Sequence, residues 1–233
     1  MLRNLLSLIP VILALVPAFI VLAISSKSDF QKWLIALVAS SGWFVALIAR
    51  LPFLTTTRWF QGNYVFIALS SSILAGVFEE PVRFALLKYV SKEIKLGLRE
   101  LISLGLGWGL VKAPIIYVFQ AIFLQYGLGV EWFKLLPGAI ERNIATLFHT
   151  ALTFIAAWVL VKGVKYIMIP ISFHALANIY ATLMLQVTKD PWIIEGFIGL
   201  LFVPLSVILI LIVHGAILEK SKGLETVFLF VGF

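Results

Sequence analysis

The chain has 233 residues, 62% hydrophobic and only 12% charged, with a mean hydropathy of +1.08. A water-soluble domain is nearer half apolar and a quarter charged, so lipid must be the solvent for most of this exterior. Cysteine is absent, which excludes disulfides, thiolate metal sites and a cysteine nucleophile; the net charge of +7 fits the cytoplasmic-loop bias of a membrane protein rather than nucleic-acid binding.

The hydropathy pattern predicts an all-α membrane protein: one transmembrane domain over 1–233 with about seven helices around a polar interior site. The expected spans are roughly 5–25, 33–54, 63–88, 100–124, 139–161, 165–187 and 193–218, with the motif-bearing core at about 63–187. Each has the length needed to cross about 30 Å of hydrocarbon. None alternates in polarity as a barrel strand does. The first run, Leu5 to Ile24, follows Met1 and Arg3 as a signal peptide would. It is longer than a typical signal core, so it reads as a retained helix.

Basic residues set an expected orientation. One side carries Arg3, Arg50, Arg58, Lys134 and Lys189. The other carries Lys27, Lys32, Lys88, Lys92, Lys95, Arg99, Lys162, Lys165, Lys220 and Lys222. The richer side faces the cytoplasm, which places the N-terminus outside and the C-terminus in the cytoplasm. The apolar tail after Glu225, from Val227 to Phe233, is too short to span and is expected along the interface.

Ionisable side chains within spans are costly and mark functional sites by default. The third span carries Phe78-Glu79-Glu80-Pro81-Val82-Arg83, with Arg83 in helical reach of either carboxylate. The fourth carries Gly105-Leu-Gly107-Trp108-Gly109, whose alternate glycines admit a close neighbour, and then Lys112, too deep to snorkel. Lys112 is expected within ion-pairing reach of Glu79 or Glu80. On the fifth, Arg142, Thr146, His149 and Thr153 share one helical face beside Glu141. On the sixth, His174, Asn178 and Thr182 share another. The third histidine, His214, has no polar company and reads as structural.

A Glu with two His is a common ligand set for catalytic zinc, leaving one position for water. His149 and His174 with Glu80 make that set, and Glu79 is the general base; the two carboxylates can exchange these roles. Asn178 can donate to a developing oxyanion. Glu79, Glu80, Arg83, Lys112, Arg142, His149, His174 and Asn178 are all expected to face one interior cavity.

These motifs, in this order on successive hydrophobic helices, resemble the CPBP/ABI superfamily of intramembrane metalloproteases, which includes the CAAX prenyl endopeptidases and PrsW proteases. The likeness is greatest to its YhfC-like branch and covers about residues 65–185. It implies a hydrolase in which Glu79 or Glu80, His149 and His174 bind or activate a metal-water while Asn178 assists the oxyanion. The implied substrate is a membrane protein or a lipidated peptide. The chain departs from the pattern at three places. Lys112 stands where relatives usually carry Glu, Trp108 where YhfC-like members often have His, and Arg83 lies one residue early. A cation at 112 would weaken metal affinity or occupy the carboxylate pair. Two other functions therefore stand beside the zinc endopeptidase. One is a catalytically silent relative acting as a membrane partner or complex subunit. The other is a transporter with a proton or cation relay, which the lack of a repeat between the halves disfavours.

Overall fold

The computed structural model describes residues 6–57 and 64–230, with side chains over 6–56 and 65–217. The side chains of Arg3, Arg58, Lys220 and Lys222, and those of the tail Val227 to Phe233, lie outside the described residues. Among the described residues the chain is 91% helical with no strand.

The helices are α1 (Ile9–Ser26), α2 (Phe30–Thr57), α3 (Tyr64–Glu93), α4 (Leu98–Leu110), α5 (Leu136–Lys162), α6 (Met168–Val187) and α7 (Pro191–Phe230). Seven segments are long and apolar enough to cross a membrane, the architecture of a multi-pass membrane protein. Among the described residues they coincide with the expected spans within about five residues, except that the fifth begins seven residues earlier, at Trp132. The turn into α2 is fixed locally: Asp29 accepts from the Gln31 N–H at 3.0 Å and pairs with Lys32. That hydrogen bond from Lys32 holds the Asp29 carboxyl below its ordinary pKa.

The middle of the bundle is the fourth and fifth spans. Over an 18-residue stretch of each, 72% of residues are buried, against 22–33% in the other five. The glycines of α4 explain why so polar a helix lies at the centre. Gly105 and Gly109, one turn apart, face α5; a Cβ there would lie 2.5 Å from Thr150 Cα and 2.7 Å from Thr146 Cα. Gly107 faces the opposite way, and its Cβ would lie 2.1 Å from the Ala36 carbonyl of α2. The alternate glycines thus admit two helices, one on each side of α4.

The fourth span continues beyond Leu110 with altered winding. Pro114 has no N–H to donate to the Leu110 carbonyl, and the chain widens into a π-helical segment, Ala113–Val118. A short α turn, Phe119–Ile122, and a second π segment, Phe123–Gly127, complete it. The first wide segment begins directly after Lys112, in keeping with the frequent use of π segments at functional positions.

A methyl group at Gly107 has no room. Gly107→Ala is expected to destabilise the fold by about 1–3 kcal/mol, as overpacking does. Gly196→Ala, which meets nothing within 4 Å, should be neutral or mildly stabilising. Thermal melts of both variants in detergent, followed by circular dichroism, check the contrast.

Candidate functional site

Glu79 and Glu80 are adjacent on α3, so their side chains leave the helix about 100° apart and meet different neighbours. Both are buried, at 2% and 0% exposure. Glu79 turns toward α2 and the fourth span. Its Oε2 accepts from Trp108 Nε1 at 3.1 Å and lies 2.6 Å from Lys112 Nζ, while its Oε1 lies 3.5 Å from Arg50 Nη1. Glu80 turns toward α6, where its Oε1 is 2.6 Å from His174 Nδ1. Gly76, one turn before Glu80, makes that meeting possible: a Cβ there would lie 2.5 Å from the Ile171 carbonyl of α6.

Arg83 ties α3 to α5. Its Nε lies 3.2 Å from Glu80 Oε2, at ion-pair distance but off hydrogen-bond alignment. Its Nη1 donates to the His149 carbonyl at 2.5 Å and to Thr153 Oγ1 at 3.0 Å. Its Nη2 lies 3.0 Å from His149 Nδ1, and the guanidinium stacks 4.6 Å from the Trp108 ring. The other nitrogen of His149, Nε2, lies 2.9 Å from Lys112 Nζ. The expected approach of Lys112 to the carboxylate pair is therefore present, at Glu79.

The hydrogen bonds around His149 fix its tautomer. A guanidinium only donates and stays charged, so Nδ1 accepts and the ring proton is on Nε2. Nε2–H then points at Lys112 Nζ. That nitrogen also donates to Glu79 Oε2, so Lys112 bridges the imidazole and the carboxylate. Two carboxylates, Glu79 and Glu80, face three basic side chains, Lys112, Arg50 and Arg83, so each buried carboxylate has at least one partner.

The two imidazoles pack edge to face, with centroids 5.1 Å apart. Glu79, His149 and His174 each offer a ligand atom within 4.8 Å of the others, and by distance this buried group could hold a metal ion. His174 suits a metal: its Nδ1–H donates to Glu80, as the outer nitrogen of a ligating histidine commonly does, and Nε2 keeps its lone pair. His149 does not, because Arg83 takes Nδ1 and the proton sits on Nε2. Lys112 Nζ also fills the space between His149 and Glu79. The residues present therefore do not fit a bound zinc.

Several expectations are corrected by this geometry. Glu80 is not the metal-facing carboxylate; both its oxygens are turned to His174 and Arg83, and Glu79 is the one beside the two imidazoles. The eight polar residues do not share one cavity. A cavity of about 580 Å³ is lined by Glu79, Lys112, Arg142, His149 and Asn178, while Glu80 and Arg83 lie behind its wall. His174 lines a smaller adjoining cavity of about 60 Å³ with His149, Asn178 and Phe202. Arg142 pairs with its neighbour Glu141, and Thr146 is turned back to the Arg142 carbonyl. His214 packs against the Phe154 ring, away from the site.

Two residues escaped the motif reading. Arg50 was counted with a loop, yet it lies within α2 and reaches Glu79. The apolar Leu51-Pro52-Phe53-Leu54 after it was the available signal. Glu195 lines the larger cavity with one oxygen buried and without a hydrogen-bond partner. It stood out as the single carboxylate of the seventh span, Pro191–Ile217.

Comparison of the chain with protein-family models, with curated proteins and with solved structures gives no match.

Removing Arg83 leaves Glu80 buried without its cation. Arg83→Met should cost about 3–5 kcal/mol, and the double variant Glu80→Leu/Arg83→Met clearly less, because no charge is then stranded. A double-mutant cycle on thermal unfolding in detergent measures the difference.

Proposed function

We propose that this chain is an intramembrane endopeptidase-like hydrolase that acts on peptide bonds of a membrane protein or lipidated peptide at or within the bilayer. One observation carries the reading. Four spans bring a buried carboxylate–imidazole dyad, Glu80 and His174, to the wall of an intramembrane cavity, with Asn178 one turn further along the same helix. The family resemblance of the motifs supports the same class.

Glu80 holds the His174 ring with Nδ1 protonated and Nε2 free, and it stabilises the imidazolium that forms when Nε2 takes a proton. A carboxylate does the same for the histidine of a hydrolytic triad. His174 is then the general base: Nε2 takes a proton from water as the oxygen adds to the scissile carbonyl carbon. Asn178 and Lys112 donate to the oxyanion. His174 returns the proton to the leaving amine as the C–N bond breaks. Zinc, where such sites hold it, supplies a bound water with a pKa near about 7. The surroundings of His149 disfavour it here, and no step above passes through a metal. The basic loops support an N-terminus outside and a C-terminus in the cytoplasm, with Arg50 removed from that comparison.

One feature favours a second reading. Glu79 is enclosed by Arg50, Trp108 and Lys112, which suits a catalytically silent relative that binds a membrane partner. Proteoliposomes carrying fluorogenic transmembrane or lipidated peptides separate the two. Hydrolysis by the native chain, reduced at least about 100-fold in His174→Ala, is expected for the enzyme. Folded native protein that cleaves none of these peptides would support the silent relative instead.

A further inference from the structure

We infer that the amino group of Lys112 occupies the position a divalent ion would need beside Glu79, and that Lys112, together with the Arg83 contact that occupies His149 Nδ1, keeps metal out. The inference concerns the site of the proposed hydrolase but does not depend on hydrolysis.

The argument is one of place. A zinc ion held by Glu79 and His149 would lie about 2.0–2.2 Å from a carboxylate oxygen and from an imidazole nitrogen. Lys112 Nζ already lies 2.6 Å from Glu79 Oε2 and 2.9 Å from His149 Nε2. These are hydrogen-bond distances to the same two atoms a metal would bind. An ion bound to both atoms from the side Lys112 occupies would overlap Nζ. Lys112 is buried at 7% exposure and lines the larger cavity. Its nitrogen also lies 5.8 Å from the Trp43 ring centroid, and Trp43 is itself buried at 1% exposure on the cavity wall.

The surroundings agree. Every polar neighbour of Glu79 apart from the histidines is a donor: Arg50, Trp108 and Lys112. A carboxylate so surrounded needs no further cation: Lys112 and Arg50 face Glu79, and Arg83 faces Glu80. A doubly charged ion would add an excess that nothing buried here offsets. The His174 half of the site keeps the geometry of a metal ligand, with Nδ1–H on Glu80 and Nε2 3.9 Å from Glu79 Oε2. What is lacking is an acceptor where Lys112 now stands. A carboxylate at that position supplies the acceptor and removes the occupying group together.

The test is metal binding, read without reference to activity. Native protein, Lys112→Glu and Lys112→Glu/His174→Ala are purified, stripped with EDTA, re-equilibrated with zinc and analysed for metal per chain. Cobalt absorption spectra report the ligand set. Native protein should hold well under about 0.1 zinc per chain, Lys112→Glu about one, and the double variant little again. Lys112→Met, which keeps the stem and removes the nitrogen, separates loss of folding from loss of the group by its circular dichroism. Zinc bound by the native chain and lost in Glu79→Gln or His174→Ala would overturn the inference. So would a folded Lys112→Glu that binds no more zinc than the native chain. The peptide assay above can fail while these results hold, so the two proposals fail separately.

Discussion

The structure rests on pairing a buried cluster of charges inside an apolar bundle. Moving a carboxylate or a guanidinium out of water is expensive, and only close partners offset the cost. Here two carboxylates on one helix are each given a separate guanidinium. Arg83 comes from the same helix and Arg50 from the preceding one. Trp108, Thr153 and the His149 carbonyl complete the hydrogen bonding around them. Once this frame is set, His149 and His174 have little freedom left. Arg83 dictates one ring's tautomer and Glu80 the other's.

The same frame divides two residues of one type into different tasks. His149 is held between Arg83 at Nδ1 and Lys112 at Nε2 and serves the framework. His174 is backed by a carboxylate and keeps a lone pair facing a cavity, the arrangement of a base. Glu79 and Glu80 divide likewise: one is saturated by donors, the other supports an imidazole. Adjacent positions on a helix diverge by about 100°, which is enough to place neighbours in unlike surroundings.

Backbone proximity makes these contacts possible. The glycines of α4 let α2 and α5 approach it from opposite sides, and Gly76 lets α6 approach α3. Without the hydrophobic effect to drive helices together in lipid, close packing at small residues and interhelical polar contacts supply the association. In this chain the two coincide: Gly76 stands one turn from Glu80, and Gly109 lies between Trp108 and Lys112 in the stretch that lines Glu79.

Much was legible in the sequence. Seven apolar runs, each long enough to cross a bilayer, determined the helical membrane architecture, because backbone polar groups in lipid must be satisfied within the segment. The cost of intramembrane charge singled out Glu79, Glu80, Arg83, Lys112, His149 and His174, and helical periodicity placed Asn178 on the face of His174. Partner choice was not legible. Arg50 falls near the end of the expected span 33–54, where a long side chain can reach either a loop or the interior, and Glu195 lines a cavity that exists only between packed helices. Which carboxylate meets the imidazoles, and that Lys112 sits between Glu79 and His149, are matters of a few ångströms. They are set by how helices distant in sequence rotate and approach, and one-dimensional spacing carries no record of that. The sequence by itself determined which charges had to be buried; the tertiary structure decided which of them neutralise each other, because that depends on distance between helices.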